Sequence, residues 1–187
     1  MKLGRFDCSN GLVNILARNT DLTVRNATFK DSKFIDKLQK ENSYAVGFIQ
    51  RTIWDKYVFG GERNFFVLMC EKNNDPVGYT LVTPGRKSGD FVRIQQIAVR
   101  NDARRLHYGQ SLIDVIKEFC IEHERLGARL RCRTDLESNM FWQALGFSKY
   151  FLWKKGRLNH VGMKASADIN HWQIKLNSNI QTFGFYI

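Results

Sequence analysis

The 43 residues from Phe91 to Arg133 confine the fold more than any other part of the chain. Phe91 to Val99 is apolar enough to be a buried strand. Leu112, Val115, Ile116, Phe119 and Cys120 then fall at i, i+3, i+4, i+7 and i+8, which is one apolar helix face, and Gly127 is a natural stop. Ala128 to Arg133 reads as a second strand. A strand, a helix and a strand in so short a span predict a parallel crossover, because parallel strands need a helix-length connection.

The elements around this unit follow from the same periodicities. Leu22 to Arg25 reads as a short strand, and residues 1–21 before it as an arm. Phe34, Ile35 and Leu38, then Ala45, Val46, Ile49, Ile53 and Tyr57, predict two helices ending before Phe59-Gly60-Gly61. Phe65 to Cys70, the turn Asn73 to Pro76 and Val77 to Thr83 form a hairpin. The loop Pro84 to Asp90 joins it to Phe91, giving an antiparallel meander. A helix over Asn139 to Leu145, closed by Gly146, leads into a strand from Phe147 to Trp153. The expected class is α+β (α/β), one mixed, mostly antiparallel sheet flanked by helices. The domain is expected to span 22–153. Residues 154–187 form an extension packed on it, in which Ile169 to Ile174 alternates like a final strand at the sheet edge or acceptor pocket.

Length and composition exclude several classes. The 187 residues carry no repeat or low-complexity tract, so one domain is expected, and no apolar run approaches the ~20 residues that span a bilayer. The patch Leu12 to Ala17 is interrupted by Asn14 and lacks a cleavage site, which argues against a secretory leader. Cys8, Cys70, Cys120 and Cys132 include no CxxC pair, which suits a reducing cytoplasm. His107, His123, His160 and His171 have no i, i+4 pairing, so no metal site is expected. The net charge of +11 is uneven. Residues 1–90 hold 14 basic and 10 acidic side chains, and 91–187 hold 15 and 8. Such an excess points to a polyanionic partner, a phosphorylated ligand or both.

The chemistry concentrates where the buried strand meets the amphipathic helix, from Ile94 to Gly109. Backbone N–H groups at a helix start are unpaired and sit at the positive end of the dipole, so this turn can hold a pyrophosphate. Arg104 and Arg105 either add charge there or form a solvated helix entrance.

This stretch is similar to motif A of the GNAT N-acetyltransferase superfamily, with Arg104 in the R/Q place and Gly109 in the final glycine place. Asn139-Met140-Phe141-Trp142-Gln143-Ala144-Leu145-Gly146-Phe147 resembles the family's motif B. The resemblance spans about Leu22 to Trp153. It implies a splayed parallel strand pair and a site for acetyl-coenzyme A as co-substrate. Ile97, Ala98 and Val99 would bond the pantetheine arm, and the N–H groups of Leu106, His107, Tyr108, Gly109 and Gln110 would hold the pyrophosphate. Asn139, Phe141 and Trp142 would border the thioester.

The sequence departs from the family pattern three times. His107 stands in place of the first motif glycine, which requires its φ to stay negative. It either adds a donor to the phosphate or marks a distorted corner. Gln95 and Gln96 occupy the strand where many members place a catalytic Glu, and an amide takes up no proton. The amine then arrives neutral, or Glu41 or Asp90 reaches in as base. Trp142 replaces a Tyr that protonates the leaving thiolate, leaving water, Ser138 or Tyr150 for that task.

Arg129, Arg131 and Arg133 alternate with Leu130 and Cys132, so their guanidinium groups share one strand face. They either pair with Glu118, Glu122 and Glu124 or form a basic floor for an anionic acceptor. The leading expectation is a cytoplasmic N-acetyltransferase, monomer or homodimer, with Gln96, Ser138 and Asn139 as catalytic candidates. Its acceptor is an amine, in one variant carried on tRNA or another nucleic acid. The rivals are a nucleic-acid binder and an acyl-coenzyme A sensor without catalysis.

Overall fold

The structure is a computed structural model, and it describes residues 22–55, 65–158 and 166–177. The expected arm (1–21), the helix end before Phe59-Gly60-Gly61, Cys8 and His160 lie outside them. Among the described residues, seven strands form one sheet: β1 (Leu22–Asn26), β2 (Phe66–Lys72), β3 (Asp75–Thr83), β4 (Phe91–Val99), β5 (Gly127–Arg133), β6 (Ser148–Trp153) and β7 (Ile169–Lys175). Their spatial order is β1-β2-β3-β4-β5-β7-β6. Five neighbouring pairs are antiparallel, and β4 with β5 is parallel, as the crossover predicts.

The helices divide between the two faces. The crossover helix α4 (Tyr108–Glu122) buries Leu112, Ile113 and Ile116 completely against Leu68, Val82, Val92 and Ala128. Each such side chain contributes about 1.5–3 kcal/mol relative to leaving it in water. On the opposite face α1 (Ser32–Glu41) packs Ile35 and Leu38 against Met69, Tyr79, Leu81 and Ala98. The short helix α5 (Ser138–Ala144) joins α4 on its side through Trp142.

Two expectations are corrected. The helix expected over 45–57 is broken into α2 (Ser43–Val46) and α3 (Arg51–Ile53). Gly47 adopts φ 75° and ψ −176°, a left-handed extended conformation open to glycine, and the chain stays non-helical to Gln50. The final strand does not lie at the edge. β7 is inserted between β5 and β6, antiparallel to both, because Trp172 on its inner face joins the main core. The strand from Ile169 to Lys175 thus joins the sheet internally, and β6 is the edge. No helix among the described residues is long and apolar enough to cross a membrane.

Candidate active site

β4 and β5 are ladder partners only at Phe91–Gly127, Val92–Ala128 and Arg93–Arg129. Beyond Arg93 they share no ladder pair, and the strands part toward their C-terminal ends. A bulge accompanies the divergence: Leu81 faces Gln96 while Val82 faces Ile94, so Gln95 is an extra residue in β4. Such an insertion bends its strand and increases its twist. Ile97, Ala98 and Val99 pair on the β3 side with Thr80, Tyr79 and Gly78, so the other backbone edge of this stretch faces the gap.

β4 runs through a 3-10 turn, Asn101–Ala103, to the start of α4. No side chain caps this helix and no acidic residue stands in its first turn. The N–H groups of Tyr108, Gly109 and Gln110 therefore lack helical partners at the positive end of the dipole. The expectation of a negative φ at His107 is corrected: His107 is left-handed at φ 63°, as is Arg105 at φ 62°. The chain keeps a glycine-like backbone without glycine, and its Nδ1 lies 3.1 Å from Gln110 Oε1. A left-handed residue bearing a Cβ costs about 1–2 kcal/mol. His107→Gly is accordingly expected to raise unfolding stability by about 1 kcal/mol in a thermal melt. A lowered midpoint would mean that the Gln110 contact outweighs the strain.

The remaining motif residues divide sharply. Arg104 donates to Asn42 Oδ1 at the end of α1, strapping the turn across to the opposite helix, while Arg105 and Leu106 are exposed. Tyr108 is buried in the main core and offers the gap only its backbone. A Cβ on Gly109 would stand 3.3 Å from the Phe141 ring and 3.8 Å from a Val99 methyl, so Val99, Gly109 and Phe141 meet at one point. Trp142 is buried in the main core and makes edge-on contacts with Phe141 at 4.9 Å and Phe147 at 5.3 Å.

Asn139 is corrected as well. Its Nδ2 donates to the Arg133 and Leu136 carbonyls, each at 2.7 Å. Its Oδ1 accepts from Asn170 Nδ2 at 2.9 Å and Trp172 Nε1 at 3.1 Å. An amide has two donors and two lone pairs, and all four are used, so Asn139 locks β5, α5 and β7 together and has nothing left for chemistry. Ser138, next to it, places its Oγ 3.3 Å from Cys132 Sγ on the β5 side of the gap.

Gln96 is buried on the α1 face of β4 and is held at both ends of its amide. Tyr79 donates its hydroxyl to Oε1 at 3.1 Å, and Nε2 donates to the Val46 carbonyl at the end of α2 at 3.0 Å. Burial holds the Tyr79 phenol far above its usual pKa, so it stays a donor. One amide proton of Gln96 remains for a water or an amine. The proposed bases do not reach this point: Asp90 accepts from the Arg86 and Lys87 N–H groups at the closed end of the strand pair, and exposed Glu41 faces Lys37. Tyr150 is also misplaced as an acid, since β6 lies two strands beyond β5, about 10 Å away.

Sequence reasoning missed a clasp between α2 and the end of β5. Tyr44 of α2 donates to Asp135 at 2.6 Å and accepts from Arg133 at 2.7 Å, joining α2 to the end of β5. Hydrogen bonds from Arg133 and Tyr44 drive the Asp135 carboxyl well below the usual range, so it makes a poor proton acceptor. The one local signal was an aromatic residue following the polar run Glu41-Asn42-Ser43. No thiol is available as a nucleophile among the described residues: Cys70, Cys120 and Cys132 are buried, and burial pushes Cys120 up to about 12. The described residues contain no group of three or more His, Cys, Asp or Glu arranged to hold a metal.

A parted parallel pair thus leads directly onto an uncapped helix start. The chain belongs to the acetyltransferase (GNAT) family, whose model matches residues 31–147. No curated protein matches it by sequence. Solved structures share the fold at low identity. The ribosomal-protein-S18-alanine N-acetyltransferase of Escherichia coli is 14% identical, with a TM-score of 0.65 over 88% of this chain and 99% of that one. The yncA protein of Salmonella typhimurium, solved with its cofactor acetyl-CoA, is 14% identical, with a TM-score of 0.66 over 86% and 97%. Arabidopsis thaliana NAA60, in complex with a bisubstrate analogue, is 10% identical, with a TM-score of 0.65 over 82% and 97%.

Proposed function

We propose that the protein transfers the acetyl group of acetyl-CoA to an amine by direct attack within a ternary complex. The observation that carries this reading is the backbone edge of Ile97 to Val99, which meets no strand on the gap side and whose Val99 carbonyl accepts from Arg104 Nε at 3.4 Å, running onto the bare N–H groups of α4. The edge fits the pantetheine amides, and the N–H groups of Leu106 to Gln110, flanked by Arg104 and Arg105, fit the pyrophosphate. Acetyl-CoA supplies an activated thioester carbonyl. Backbone N–H groups near Ile97 to Val99 take up the negative charge that develops on its oxygen. Gln96, fixed by Tyr79 and Val46, orients the incoming amine or a water beside it but accepts no proton. The amine attacks as the neutral base, the N–H proton it sheds on forming the amide passes through water to the departing thiolate, and the Ser138 hydroxyl, on the β5 side, is a hydrogen-bond donor to that sulfur. The protein works in the cytoplasm.

Steady-state kinetics test this. Coenzyme A release, followed with a thiol reagent against a panel of amines, is expected to give intersecting double-reciprocal lines. Parallel lines would indicate a covalent acetyl-enzyme and contradict direct transfer. Gln96→Ala is expected to lower kcat by about 10- to 100-fold, as expected for a lost positioning contact, without removing any pKa from the pH–rate profile. A pKa that disappears in this variant would contradict the assignment.

A further inference from the structure

Among the described elements, one face of the sheet's second half is met by a helix only at its Arg133 end, where Tyr44 of α2 touches it. The main core under α4 takes Ala128, Leu130 and Cys132 of β5 and Trp172 of β7, so Arg129, Arg131, Arg133 and His171 point the other way. Pairing of these arginines with Glu118, Glu122 and Glu124 is thereby corrected, since Glu118 and Glu122 ride on α4 on the opposite face and Glu124 accepts from Ser88 Oγ at 3.2 Å. Arg133 has Asp135 at 2.8 Å. Among the described residues, Arg93, Arg129 and Arg131 form no ion pair. Register places Arg93 beside Arg129, His171 beside Arg131 and Phe151 beside His171.

Aromatic rings are interleaved with these charges. The Arg129 guanidinium lies 3.5 Å from the Phe91 ring centroid and 4.9 Å from that of Tyr150, and its Nε donates to Gln173 Oε1 at 3.2 Å. Burial without an acid draws its pKa below the usual arginine value. Tyr150 and Phe151 meet His171 edge-on at 5.8 and 5.1 Å, yet remain 43% and 47% exposed. An acidic peptide would satisfy the arginines and leave these rings in water. Single-stranded nucleic acid satisfies both, with phosphates on guanidinium groups and bases on rings, whereas a duplex hides its base faces. The free amide protons of Gln173 and the Tyr150 hydroxyl stand among the rings, where a 2′-hydroxyl finds partners.

We propose that the open face of β5, β7 and β6, with Arg93 of β4, binds single-stranded RNA: Arg93, Arg129 and Arg131 on phosphates, Tyr150 and Phe151 under bases. This goes beyond the acetyl-transfer reading and is measured without turnover. The test is fluorescence anisotropy of the full chain with a labelled, unstructured 16-nucleotide RNA across a salt series. The single strand is expected to bind tighter than the duplex, the DNA of the same sequence and polyglutamate. Arg129→Gln with Arg131→Gln is expected to weaken binding at least tenfold and to reduce the log–log salt slope by about 1.4, at about 0.7 per phosphate contact. Arg93→Gln, at an exposed position, carries the same test with a slope change of about 0.7 should the double variant fail to fold. Phe151→Ala is expected to weaken binding about tenfold with the slope unchanged. Melting temperature and acetyl-CoA affinity are expected to stay at wild-type values in all three. Polyglutamate, duplex or DNA bound as tightly as the single strand, or a full salt slope in the arginine variants, would overturn the proposal.

Discussion

Gly127→Ala is expected to cost about 3 kcal/mol or more, with loss of acetyl-CoA binding at temperatures where the wild type is fully folded. Gly127 has φ +151°, and a Cβ built on it would stand 1.9 Å from the Ile174 carbonyl oxygen and 3.0 Å from Lys175 Cα. Both obstacles are backbone, so no side-chain rotation relieves them. The residue opens β5 and is held between Phe91 on one side and Lys175 on the other. Making room means moving β7 away or breaking a parallel ladder that has only three pairs. The second route removes the origin from which β4 and β5 diverge. Urea denaturation reads the effect as a lowered midpoint at unchanged slope. A midpoint equal to wild type would mean that the β4–β5–β7 junction is not packed as described.

Asn139→Ala is expected to cost about 3–5 kcal/mol. It leaves the Arg133 and Leu136 carbonyls, half-buried, and the buried Asn170 Nδ2 and Trp172 Nε1 without their shared partner, and an orphaned group kept from water costs about 1–3 kcal/mol before relaxation. Calorimetric melting reads the loss. Turnover per folded molecule, measured well below the melting midpoint, is expected to stay within a few-fold of wild type. A variant that melts normally but has lost turnover would return Asn139 to the chemistry.

Local pattern carried the reading of β4, α4 and β5, since each buries a face whose period is visible in the residues themselves. Breaks and long-range partners were harder. Gly47 stops a helix that Ala45, Val46 and Ile49 favour, because one glycine in an extended left-handed conformation outweighs weak propensity. The insertion of β7 between β5 and β6 depends on where Trp172 is buried, which no window of neighbouring residues contains. Asn139 was visible as a residue of interest, but two of its partners lie on a strand some thirty residues later. His107 takes up a left-handed backbone against its own steric preference, which no period in the residues signals. The alternation of Arg129, Arg131 and Arg133 correctly put them on one face, while the side that α4 covers was decided by the crossover.

The central claim is that acetyl-CoA lies in the gap between β4 and β5 with its phosphates on the start of α4. Hydrogen–deuterium exchange with and without saturating acetyl-CoA tests it most directly. The account predicts added protection in two stretches, the backbone amides of Ile97 to Val99 and those of Leu106 to Gln110, with little change along β1, β2 and β6. Protection confined to other segments, or none at saturation, would contradict it.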